Sequence, residues 1–149
     1  MFLRHPVLSI ATLAYLGLVG WLTLTPQLPG HQQNFIWELA LVFDRYEATQ
    51  WITFALLEFS ANVALFIPFG VFFVLLLGRR RWWLAILLGV TTTVVIEFAQ
   101  LVIPNRVSDA RDLLANSIGA VVGTLLALVL TASKARRLRQ VSGLAASSS

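Results

Sequence analysis

Residues 97–123 read EFAQLVIPNRVSDARDLLANSIGAVVG, and this stretch decides the fold. Strongly apolar runs flank it, and most of the chain's placeable polar chemistry lies inside it. Glu97 and Gln100 close one apolar helix. Arg106, Asp109, Arg111 and Asp112 fill a short connection, and Asn116, Gly119 and Gly123 open the next helix. Carboxylates and amides at the mouth of hydrophobic helices are costly, so their placement needs a reason.

Working outward, the run before this stretch is a membrane span over residues 82–103, ended by Pro104. Gly89, Thr93, Glu97 and Gln100 recur at helical spacing and give it one small, polar face. The run after it spans 112–132, with Asp109, Asp112, Asn116, Gly119 and Gly123 on a single stripe. Asp109 or Asp112 can cap that helix. Ala115 and Ala127 extend the small register, and Gly119-x-x-x-Gly123 fits close helix packing.

Earlier in the chain, residues 59–77 form another span, interrupted on its outer side by Glu58. Pro68 cannot donate to the carbonyl of Ala64, which must find another partner inside the bilayer. Glu58, Asn62 and Phe66 share a face. A first span covers 7–24, too long and too poorly flanked for a cleaved leader. Between the first two spans, the outer segment 26–58 begins with the breakers Pro26, Pro29 and Gly30. It contains FIWELALVFDRY (35–46), for which two readings stand: a helix lying in the bilayer interface, or a folded loop with aromatic anchors. Residues 1–140 thus form one transmembrane domain, with a flexible tail at 141–149.

Composition agrees with a polytopic membrane chain. The 149 residues are 58% hydrophobic and only 12% charged, with a mean hydropathy of +0.79. A soluble domain carries about one quarter charged residues. There is no cysteine, which excludes disulfide frameworks and thiolate chemistry, and His5 and His31 stand far from the acidic cluster. The expectation is no bound metal and no cofactor.

The distribution of charge predicts topology. Arg4, Arg79, Arg80, Arg81, Lys134, Arg136, Arg137 and Arg139 fall on one side of a four-span chain, and Arg45, Arg106 and Arg111 on the other. The positive-inside rule puts both termini in the cytoplasm. The basic pI of 10.7 then reflects inner arginines facing anionic lipid headgroups rather than nucleic acid. Glu97 lies about 22 Å along its helix from the inner turn, in the outer leaflet. Asn62 and Asn116 reach a similar depth.

The blocks NVALFIPFG (62–70), IEFAQ (96–100), RVSDARD (106–112) and NSIGAVVG (116–123) resemble the VanZ-like family. Its namesake is associated with bacterial resistance to the glycopeptide teicoplanin. The resemblance covers about Glu58 to Gly123 and implies an envelope function in a bacterial cytoplasmic membrane. The family's polar positions map onto Asn62, Pro68, Gly70, Glu97, Gln100, Arg106, Asp109, Asp112, Asn116, Gly119 and Gly123.

From the residues themselves, the candidate ligand-binding set is Asn62, Glu97, Gln100, Arg106, Asp109, Arg111, Asp112 and Asn116. Pro68, Gly70, Gly119 and Gly123 are candidates for helix packing. Glu97 is either a proton acceptor or ligand contact, or an interhelical lock to arginine or Asn116. Arg106 either grips a phosphate or carboxylate or neutralises the acids around it. Three functional readings follow. The leading one binds a lipid-linked cell-wall precursor or lipoglycopeptide at an outward-facing pocket. The second is a lipid transferase or hydrolase using Glu97, Asp109 and Asp112 as acid–base groups or around a divalent ion. The third is an accessory subunit packing through its glycine stripe, with a homo-oligomer through the Gly119/Gly123 face as one form. Ser108 and Ser117 have no histidine partner, so a Ser-His hydrolase is not expected.

Overall fold

The computed structural model describes residues 6–25, 35–104 and 109–147, with side chains described as far as residue 132. Five helices follow in order: α1 (Pro6–Leu24), α2 (Phe35–Asp44), α3 (Phe54–Leu77), α4 (Trp82–Gln100) and α5 (Ala110–Ser147). No strand occurs among the described residues. Pro6–Leu24, Phe54–Leu77, Arg79–Gln100 and Ala110–Ala132 are each long and apolar enough to cross a membrane. The fold is an all-α bundle of four such helices, with α2 as a shorter fifth element.

Apolar content drives these helices, and their hydroxyls are dealt with locally. Thr12 and Thr23 donate to Leu8 O and Val19 O, each at 2.8 Å. Ser117 and Thr131 do the same to Leu113 O and Ala127 O, at 2.7 and 2.6 Å. Each bond returns the hydroxyl to its own helix, so none needs water in the bilayer. Thr53 starts α3 by accepting from Leu56 N at 3.3 Å. The helix therefore begins above Glu58 and includes it. Gly78 ends α3 at φ +82°, a left-handed conformation that suits glycine, and its N–H reaches Val74 O at 2.9 Å.

α3 and α5 form the closest pair, and small residues make this possible. A Cβ on Gly119 would overlap the carbonyl of Val63, and one on Gly123 the carbonyl of Ile67. From the other side, a Cβ on Gly70 would overlap Ala120 O and come within 2.5 Å of Thr124 N. Residue numbers rise together along both helices, so α3 and α5 run parallel. α4 fits against them where Gly89 faces Ala120, leaving 2.5 Å to an added Cβ. Phe66 and Phe69 stack at 5.7 Å, and Phe69 and Phe73 at 4.5 Å, to fill the centre.

The glycine contact thus lies within one chain. Gly119 and Gly123 face α3, so of the two contacts that the sequence leaves open, within one chain or between copies, the structure has the one within the chain. A GxxxG pattern reports only that another backbone comes close, and here it belongs to the same molecule.

α1 is held more lightly. The Tyr15 hydroxyl donates to Leu65 O, the carbonyl beside the one that Pro68 leaves without a donor. Gln100 Nε2 donates to Thr23 O at 3.0 Å. α5 continues to Ser147, through residues 141–147 where the sequence pattern places a flexible tail.

Candidate functional site

The helix directions bring the polar residues together. The C-termini of α1 and α4 and the N-termini of α3 and α5 share one end of the bundle. Arg79–Arg81, between α3 and α4, marks the opposite, basic end. The chain enters α1 and leaves the α5 span at that basic end.

At the polar end, α3 and α5 are tied by Asn62 Nδ2 donating to Asp112 Oδ1 at 2.7 Å. One turn deeper, Asn116 Nδ2 donates to Thr93 Oγ1 at 2.9 Å, joining α5 to α4. Asn116 is 3% exposed and Thr93 fully buried. Such bonds between membrane helices are worth about 0.6–2 kcal/mol each. Glu58, Glu97 and Asp109 all lie within electrostatic reach of Asp112, and Arg111 within reach of Glu58. With Arg111 as the one arginine placed among these four carboxylates by the described residues, this end of the bundle is acidic.

The expected site residues among those described each find a definite place. Asp109 is the N-cap of α5: its Oδ1 accepts from Arg111 N at 2.9 Å, and its carbonyl accepts from Asp112 N at 2.9 Å. Gln100 turns toward α1 and braces Thr23 rather than facing the carboxylates. Asn116 binds Thr93, not Glu97. Arg111 contributes its backbone N–H to the cap and is exposed. Arg106 and Ser108 lie outside the described residues, as do His5 and His31. Among the described residues, no three acidic or histidine side chains converge to hold a metal ion.

Glu97 also lines a recess of about 270 Å³ between α4 and α5, with Val94, Phe98, Leu101, Ala110 and Leu113. Phe98 is 68% and Leu101 66% exposed, so the recess opens on the bundle's outer, apolar surface. It combines a carboxylate with a wall that lipid would cover. Its volume is just under the roughly 300–1,000 Å³ of a pocket that encloses a whole small ligand, so it suits one part of an amphiphile.

Glu58 is the residue that the candidate set omits. Its four-residue spacing to Asn62 and Phe66 shows the shared face. Reading it as the outer edge of a span hides that the helix carries it into the acidic group. Along this face burial rises from exposed Glu58, through half-buried Asn62, to fully buried Phe66.

These features define a multi-pass membrane protein with an acidic, amide-braced cluster at one end of a four-helix bundle. The chain belongs to the VanZ/LLP1 family, which matches residues 12–131. The match takes in α1 and α2 as well as the blocks from Glu58 to Gly123. No curated protein and no solved structure matches the chain.

Proposed function

We propose that this protein resides in the cytoplasmic membrane of a bacterium, with both termini inside, and binds an amphiphile at its outward acidic end. The ligand class is a lipid-linked cell-wall precursor or a lipoglycopeptide. The recess at Glu97 carries this reading. An acyl or prenyl segment lies against Val94, Phe98, Leu101 and Leu113, and the polar part meets Glu97. Arg106 is assigned to the ligand's anionic group. The excess of basic residues at one end of the bundle supports the orientation.

The duties of the other carboxylates favour binding over acid–base catalysis. Asp109 caps α5 and Asp112 is bonded to Asn62. Both help to hold the helices, and Glu97 is the carboxylate that lines the recess.

The test fills the recess. Leu113→Trp should weaken binding of teicoplanin, or of a polyprenyl-diphosphate-linked precursor, by at least about tenfold, or 1.4 kcal/mol. The variant must keep the wild-type unfolding profile. Unchanged affinity for both probes in the folded variant would remove the recess as the binding site.

A further inference from the structure

A second cavity lies away from Glu97, where α2 meets the start of α3. It measures about 260 Å³, and its lining includes Trp37, Leu41, Asp44, Gln50, Thr53 and Phe54. Trp37 and Phe54 form one wall, their rings edge to face at 5.5 Å. The other wall is polar. The chain after α2 folds back on its end: Thr49 Oγ1 donates to Phe43 O at 2.7 Å and Gln50 Nε2 to Asp44 O at 3.5 Å.

Its position and electrostatics define what it can hold. The cavity sits where α3 begins, at the level where the apolar spans give way to polar segments. Exposed Tyr46 and Trp51 mark the same level, as aromatic residues do at a bilayer surface. No buried residue occurs in α2, although it is mostly apolar. The lining includes Asp44, an exposed residue at the C-terminal, negative end of α2. It also includes Thr53 and Phe54, at the N-terminal, positive end of α3. The lining includes no lysine or arginine.

We propose that this cavity is a headgroup site for a zwitterionic phospholipid carrying a free ammonium. The ammonium meets Asp44 and packs toward the Trp37 ring, which adds a cation–π attraction. The phosphate lies toward the first N–H groups of α3, and the acyl chains continue along the apolar surface of the bundle. The volume fits a headgroup and not a whole lipid. The site is separate from the Glu97 recess and does not depend on it.

The experiment counts lipids retained by the purified protein in native mass spectrometry, with equimolar phosphatidylethanolamine and phosphatidylglycerol supplied in detergent. The wild type should retain the ethanolamine lipid about fivefold over the glycerol lipid, the fold-change of one partly screened ion pair. Asp44→Asn should bring the ratio close to one. Trp37→Leu, which keeps the carboxylate, should lower it by a smaller factor. Glu38→Gln, an exposed carboxylate on the same helix but outside the cavity lining, should leave it unchanged. Equal retention by the wild type, or a ratio unaffected by Asp44→Asn, overturns the proposal. Equally strong retention of water-soluble glycerophosphoethanolamine overturns the assignment to a lipid.

Discussion

Replacing Gly123 by alanine tests the packing that places every polar residue at the acidic end. In an unobstructed helix, glycine to alanine is favourable by about 0.5–1 kcal/mol, because alanine loses less backbone entropy. At Gly123 the new methyl would meet the carbonyl oxygen, carbonyl carbon and Cα of Ile67. All three are backbone atoms, and none can rotate away. α3 and α5 must separate, which loosens Gly119 on Val63 and Gly70 on Ala120 as well. Overpacking of this kind costs about 1–3 kcal/mol, and the rigid backbone on both sides places it at the upper end. The propensity gain offsets only part, leaving about 1–2 kcal/mol of net loss. For a chain of this size that corresponds to a fall of roughly 2–8 °C in Tm. Gly17→Ala is the internal control, since nothing lies within 4 Å of its added Cβ. Thermal unfolding of both variants in one detergent should lower the Gly123→Ala midpoint and leave Gly17→Ala equal to wild type or slightly higher. A Gly123→Ala protein as stable as Gly17→Ala would refute the α3–α5 contact and the register it sets.

The polar ties make separate predictions. A double-mutant cycle on Asn62→Ala and Asp112→Ala, read by reversible unfolding, should give a coupling of about 0.6–2 kcal/mol, and additive losses would show that the two side chains do not bond. Asp109→Ala should cost about 1 kcal/mol through loss of the cap, while Asp109→Asn should cost much less because the amide oxygen still accepts from Arg111 N. If both variants instead keep full stability but lose ligand binding, Asp109 is a ligand contact rather than a cap.

Much of this architecture is legible without coordinates because a bilayer permits few solutions. Runs of apolar residues longer than a turn-rich segment must be helices, and the breakers between them give their number. The small and polar faces of α4 and α5 are equally readable, since Gly89, Thr93, Asn116, Gly119 and Gly123 repeat at helical spacing. Glu97, Asn62 and Asp112 are picked out by the expense of placing such groups beside lipid.

Pairing is a different matter. Periodicity says which residues share a face, but a face has no address. Gly119-x-x-x-Gly123 is compatible with a contact inside one chain or between two, and only the backbone of α3 beside it decides between them. Gln100 lies on the same stripe as Glu97, yet a difference of three residues along a helix turns it toward α1. Asn62 and Asp112 are fifty residues apart, and their bond exists because α3 and α5 run parallel at glycine-limited distance. Glu58 joins the acidic group for the same reason.

What the sequence by itself determines is an all-α chain with four membrane-spanning helices, a polar end and a basic end. Those follow from hydropathy and helical spacing, which are local along the chain. The tertiary structure decides which carboxylates hold the scaffold and which one lines a recess. That depends on helix direction, register and closeness of approach, and none of these is a local property of the chain.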